Sequence, residues 1–243
     1  MRERLDALHH VTAVCSDARR TVAFYRERGL ALVKKTVNFD DPGSYHLYFG
    51  DELGRPGTLL TFFEWPGARR GRLGAGTLAS LELVTPGVEE RTWLEDPDGL
   101  RLQLVPGEEV ELRSLTALAD ASLYEDILGA DAPLRFRDPP AEAAVVSAGI
   151  VHHHAWRMAD DDEQLAWRER LLARGLQPTQ VYDRKYFRSL YFRMPDGLLL
   201  ELATDGPGFA VDEPAESLGE SLSLPDWLEA ERPAIEQSLA PIG

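Results

Sequence analysis

The chain has 243 residues, 44% hydrophobic and 28% charged, a globular balance that excludes a disordered polypeptide. Its one cysteine, Cys15, excludes an internal disulfide framework, and no apolar run approaches the roughly 20 residues that span a bilayer. With 26 Lys and Arg against 41 Asp and Glu, the net charge is −15, so nucleic acid and anionic membrane surfaces are excluded as natural partners. An anionic small substrate would need a local cationic group.

The N-terminal MRERLDALHH has no apolar stretch behind its charges, so no secretory leader is expected and the expected location is cytoplasmic. LDALHHVTAV predicts a strand. SDARRTVAFYRERGLAL predicts a helix capped by Ser16 or Asp17 and closed near Gly29, and strands follow through YHLYFG and GTLLTFFEWP. GAGTLASLELVTP opens a second unit in which the connector GVEERTW replaces a helix, before DPDGLRLQLV. LRSLTALADASLYEDILGADAPLRFRD predicts a strand, a helix closing at Gly129 and a remnant strand. After a join at Pro139-Pro140, GIVHHHAWRM starts a fourth unit, with a helix behind Asp160 to Asp162 ending at Gly175 and strands through RSLYFRMPDGLLLELATD. From Gly206 the chain is acidic and proline-dotted, with a short helix expected near Pro225 to Leu239 and packing on the surface or on a partner subunit.

These units are copies of one βαβββ module, complete first and fourth and reduced second and third. The expected division is an N-terminal module pair over 1–107, a C-terminal pair over 108–205 and a tail over 206–243. Open sheet edges and the tail predict a homo-oligomer.

The six histidines fall in two clusters, His9-His10 and His152-His153-His154, with His46 alone. Where the fourth copy has His152-His153 the second has Ala79-Ser80, and where the fourth has Glu201 the second has Gln103. Histidines and carboxylate thus vanish together. Strand alternation puts His10 on a face with Leu8, Thr12 and Val14, and His153 on a face with Val151 and Ala155. It turns His9 and His152 the other way. Glu201 lies in LLLELA, where a carboxylate must be paired or metal-bound because burying it alone is costly. His10, His153 and Glu201 form a two-histidine, one-carboxylate set that suits iron(II) and leaves positions open on it. His46 reads as a strand residue near the pocket. Ala68–Arg72 reads as a solvated basic loop, Cys15 as a small buried filler, and His154 as either a pocket residue or the counterpart of Val11.

HHVTAV, the run LVKKTVNFDDPGSYHLYFGDELGRPGTLLTFFEWP, DRKYFRSLYFR and GLLLELATDGPGF together resemble the vicinal-oxygen-chelate superfamily, and within it the bacterial ring-cleaving dioxygenases that open hydroquinone-type rings. The resemblance implies an α+β fold of paired βαβββ modules, with mixed sheets curled around a metal cavity. It implies Fe(II), with Mn, Zn or Ni as alternatives, held by His10, His153 and Glu201, and no organic cofactor. It implies a small aromatic substrate, a hydroquinone or catechol, together with O₂. By the same resemblance Thr12 is a pocket residue, Arg184 an arginine near the substrate, Tyr191 a tyrosine assisting proton transfer, and His9 and His152 histidines beside the ligands. Two other readings stay open. One is a glyoxalase-like isomerase or lyase with Glu64 as a second carboxylate. The other is a non-catalytic binding protein with an aromatic pocket built from Trp65, Trp156, Tyr182, Tyr186 and Phe187.

Overall fold

The computed structural model describes residues 5–129 and 133–242. The first module comprises β1 (Leu8–Cys15), α1 (Ala18–Arg26), β2 (Ala31–Asn38), β3 (Asp41–Gly50) and β4 (Leu59–Glu64). The second has β5 (Thr77–Thr85), β6 (Thr92–Glu95) and β7 (Arg101–Pro106), with no helix. The third has β8 (Glu111–Leu118), α2 (Ala121–Leu128) and β9 (Leu134–Arg137). The fourth restores the pattern with β10 (Val151–Met158), α3 (Asp161–Ala173), β11 (Tyr182–Asp183), β12 (Arg188–Arg193) and β13 (Leu199–Thr204). The tail carries α4 (Arg232–Ser238). Among the described residues no helix is long and apolar enough to cross a membrane.

Local chemistry sets the helix ends. The Asp17 carboxylate accepts from the Arg20 amide at 3.0 Å, and Asp160 accepts from the Glu163 amide at 2.8 Å. Gly29 follows α1 at φ 81°, and a Cβ there would lie 2.5 Å from the Pro86 carbonyl oxygen, so both its conformation and its surroundings demand glycine.

Two sheets form. The larger runs β11-β12-β13-β10-β1-β4-β3-β2 and the smaller β6-β7-β5-β8-β9. Their seams are the antiparallel pairs β1–β10 and β5–β8. The sheets therefore group the first module with the fourth and the second with the third, across the 107/108 division drawn from chain order. The reduced copies pair with each other, and the complete copies meet around the residues that carry the chemistry.

The main core lies between the apolar faces of the two sheets and the helices. Val11, Phe62, Leu83, Leu104, Leu115, Trp156, Trp167 and Leu200 are all buried in it. A smaller core of Tyr48, Leu59, Tyr186, Phe187 and Phe209 fills part of the concave face of the large sheet. Phe209 comes from the tail. The tail folds back on β2 of its own chain: Ser223 donates its amide to the Lys35 carbonyl at 2.9 Å. The fully buried Lys34 ammonium bonds Asp212 at 2.7 Å and also Glu213. Lys185 and the Tyr186 hydroxyl reach the other oxygen of Asp212, at 3.0 and 3.1 Å.

His154 belongs to the main core, opposite Val11 and Leu200 in register, and does not line the pocket. Neither ring nitrogen has a hydrogen-bond partner among the described residues. Burial first, then the His153 and His10 imidazoles, bring its pKa down to about 3. An unpartnered buried polar group costs ~1–3 kcal/mol, so His154→Leu should raise the stability of the metal-free protein by about that amount in urea denaturation. Because the folded pKa lies below that of the unfolded chain, His154 costs stability as pH falls from about 6.5 towards 3, at up to ~1.4 kcal/mol per pH unit. The leucine variant should show a shallower acid limb over that window.

Candidate metal centre

β1 and β10 run side by side at the middle of the concave face, and each carries a bulge. Leu8 pairs with Trp156 and His10 with Ala155, leaving His9 as the extra residue. Thr12 pairs with His153 and Ala13 with Val151, leaving His152 as the extra residue. Simple alternation turned these two histidines away from the ligand face, and the bulges correct that expectation by re-aiming them towards their neighbours. They also move Leu8 and Val151 into the main core, off the face of His10 and His153.

The outcome is two matched histidine pairs. His9 Nδ1 lies 2.9 Å from His10 Nδ1, and His152 Nδ1 lies 2.8 Å from His153 Nδ1. His9 Nε2 sits 3.1 Å from the Thr204 carbonyl oxygen, which can only accept. Nε2 therefore carries the His9 proton, Nδ1 accepts, and His10 must donate from its own Nδ1. This leaves the lone pair of His10 Nε2 pointing at Glu201 Oε2, 3.2 Å away. His153 Nε2 is 2.9 Å from the same oxygen. Burial, with the adjacent ligand histidine, lowers both His9 and His152 to about 3, so neither carries a charge at neutral pH.

Glu201 reaches the site from β13, in register with Ala155. Oε1 accepts from the Ser189 hydroxyl, whereas Oε2 has no hydrogen-bond donor among the described residues. Burial raises the carboxyl pKa, but positive charge shared with the His10 and His153 imidazoles outweighs it and holds Glu201 well below the usual carboxylate range. A fully buried, ionised oxygen facing two imidazole nitrogens calls for a cation between them. The three groups offer ligand atoms within 4.8 Å of one another, and two nitrogens with one oxygen fit a divalent transition metal. Replacing His9 by leucine should free the His10 ring and weaken metal binding ~10–100-fold in a chelator competition.

The cavity over the triad is lined by Phe39, His46, Tyr48, Phe63, Arg184, Phe187 and Tyr191 besides the ligands. Arg184 Nε lies 3.3 Å from the Tyr191 hydroxyl, and its far end meets Asp40 across the mouth at 3.2 Å. Burial and Glu201 push the Tyr191 phenol up, so it keeps its proton at neutral pH. Thr12 is not a lining residue. Its buried hydroxyl bonds Thr61 at 2.8 Å instead. Glu64 is no second carboxylate here. It alternates to the opposite face of β4 and accepts from the Ala18 amide at the start of α1, at 2.8 Å. Of the five aromatics proposed for a pocket, Phe187 lines this cavity, Trp156 and Tyr186 are core residues, Tyr182 is exposed, and Trp65 stands 6.5 Å from the His152 ring. His46 and Tyr48 do line the cavity. The signal that could have found them is β3 alternation, which puts both on one face.

The small sheet preserves the frame without the chemistry. Its bulges recur at Ala79 and Arg113, and by register Ser80, Ser114 and Gln103 stand where the large sheet has His153, His10 and Glu201. Glu82, in register with Gln103 where the large sheet has Ala155, accepts from Ser114 at 3.1 Å and pairs with Arg135 at 3.2 Å. A wider cleft, about 750 Å³, lies apart from the triad and holds Arg70, engaged with Glu95, and Arg72, engaged with the Ala143 carbonyl.

Modules joined in this way around such a triad define a vicinal-oxygen-chelate protein. No family profile matches the chain. It is 36% identical over 305 residues to MhqO of Bacillus subtilis strain 168, named as a ring-cleaving dioxygenase, covering 99% of this chain and 98% of that protein. It is 30% identical over 304 residues to the chlorohydroquinone/hydroquinone 1,2-dioxygenase of Sphingobium indicum, covering 93% and 94%. A crystal structure of a dioxygenase from B. subtilis superposes with a TM-score of 0.90 at 34% identity, over 100% of this chain and 99% of that one. Glyoxalase I from Zea mays shares the fold alone, with a TM-score of 0.58 at 15% identity over 82% and 92%. The chain belongs to the ring-cleaving dioxygenases of the vicinal-oxygen-chelate superfamily, and it is an enzyme. The alignment to MhqO exceeds this chain's length by about 60 positions, in keeping with its reduced middle modules.

Proposed function

We propose that the enzyme uses Fe(II), held by His10, His153 and Glu201, to cleave a hydroquinone- or catechol-type ring with O₂. The carrying observation is Glu201 Oε2, buried without a donor against two imidazole nitrogens. A metal held by these three residues would supply a Lewis acid and a one-electron partner for oxygen. The protein's own part is positional and protonic. His9 and His152 fix the ligand rings. Arg184 offers a cation to an anionic ring oxygen, which the net charge of −15 would otherwise repel. Tyr191, neutral and 3.3 Å from Arg184, holds a proton at Oη for the breaking oxygen–oxygen bond.

The cavity measures about 40 Å³, well short of the ~150 Å³ in which a benzene ring is known to fit. Admission of a ring thus requires side chains of this lining to move. The test is anaerobic loading with Fe(II), then O₂ uptake on hydroquinone and catechol panels. Uptake with ring-opened product is expected. No uptake at full iron occupancy, or turnover without O₂ on zinc or nickel, would overturn the reading. The open edges at β6, β9 and β11 support a homo-oligomer, which sedimentation analysis would check.

A further inference from the structure

A polar chain runs across the strands from Thr12, beside the ligand His153, to the cavity wall, where His46 and Tyr48 line the cavity. The Thr12 hydroxyl bonds Thr61 at 2.8 Å, Thr61 bonds His46 Nε2 at 3.0 Å, and His46 Nδ1 bonds the Tyr48 hydroxyl at 3.0 Å. Strand register stacks these groups: Tyr48 pairs with Thr61, Thr61 with Thr12, and Thr12 with the ligand His153. Both nitrogens of His46 are engaged, so it presents neither to the cavity.

Tyr48 differs. Its hydroxyl can make three hydrogen bonds, and among the described residues it meets only His46 Nδ1. If the chain runs towards the cavity, His46 donates and the phenol offers its own proton there. If it runs the other way, the phenol donates to His46 and offers lone pairs. Such an end suits a group that both donates and accepts, which among ring substituents means a hydroxyl.

Distance selects its place on the ring. On one side Phe187 stands between, its ring centroid 5.3 Å from His10 and 6.5 Å from Tyr48. On the other Phe63 stands between, 4.3 Å from His46 and 6.2 Å from His153. Phe187 and Phe63 thus each touch both a ligand histidine and the His46–Tyr48 wall. Two oxygens on adjacent carbons would both face the ligands and leave Tyr48 unmet, whereas oxygens across the ring reach both walls.

We propose that the Tyr48 hydroxyl, oriented by the positioning residue His46, receives the second hydroxyl of a 1,4-dihydroxybenzene and makes this site select it over a ring with one hydroxyl. The inference rests on the proposed function, since the first ring oxygen is placed at the metal centre. The test is calorimetric binding to the Fe(II)-loaded protein without O₂, using hydroquinone, catechol and phenol. The wild type should bind hydroquinone at least ~10-fold tighter than phenol, and tighter than catechol. Tyr48→Phe should bring hydroquinone to within ~2-fold of phenol while leaving phenol itself unchanged, because a polar site penalises only the ligand that loses its partner. His46→Gln, which keeps a donor or acceptor near Tyr48, should retain part of the preference. Metal content and melting temperature should stay near wild type in both variants. A wild type without the preference, or a folded Tyr48→Phe that keeps it, would overturn the assignment while leaving ring cleavage intact. Failure of all three ligands to bind the loaded wild type would remove the proposed function, and this inference with it.

Discussion

Glu201→Gln should purify without its metal and without ring-cleaving activity, a loss well beyond the ~10–100-fold expected when a residue merely beside a ligand is changed. The substitution keeps the shape and removes the charge. Its oxygen can still accept from Ser189, but its amide nitrogen would donate to the lone pair of His10 or His153 and so occupy the place of the cation. The metal-free variant should therefore melt at or above the temperature of the metal-free wild type, since the buried charge is gone. Metal analysis and O₂ uptake, read together with that melt, separate loss of a ligand from loss of the fold. A variant that retained stoichiometric metal would show that Glu201 is not a ligand.

The second large effect is on stability, at the far end of the same concave face. Lys34→Met should destabilise the protein by ~3–5 kcal/mol, because it leaves the buried Glu213 without its cation and takes from the more exposed Asp212 one of the two cations it holds. For a chain of this size that corresponds to a fall in melting temperature of about 10 °C. The methionine fills much the same volume, so the loss would be electrostatic. Adding Glu213→Leu should recover part of it. The effect should extend to the cavity, because Asp212 also holds Lys185 and Tyr186, the residues between Arg184 and Phe187. Lys185 takes φ 68°, an uncommon conformation for a side chain of this kind, and the tail bonds it there through Asp212 and the Leu224 carbonyl at 2.8 Å. Limited proteolysis of the tail would follow the same loss.

Much of this molecule is legible in its residues. The doubled histidines, the carboxylate set among leucines, and the serine, alanine and glutamine at the matching places of the second copy all follow from internal repetition. So do the module pattern and the helix caps at Asp17 and Asp160, because caps and strand alternation are local properties of the chain. What the sequence could not supply depends on partners distant along it. The bulges at His9 and His152 exist only because β1 and β10 pair with one residue to spare on each strand, and they reverse what alternation predicts. The pairing of the first module with the fourth is a choice among sheet edges, which no single strand encodes. Lys34, the first of two lysines in the run LVKKTVN, acquires its partners from residues 212 and 213. Composition and periodicity determine which groups must leave water. The tertiary structure alone decides which of them meet, because convergence around Glu201 is set by register between strands rather than by order along the chain.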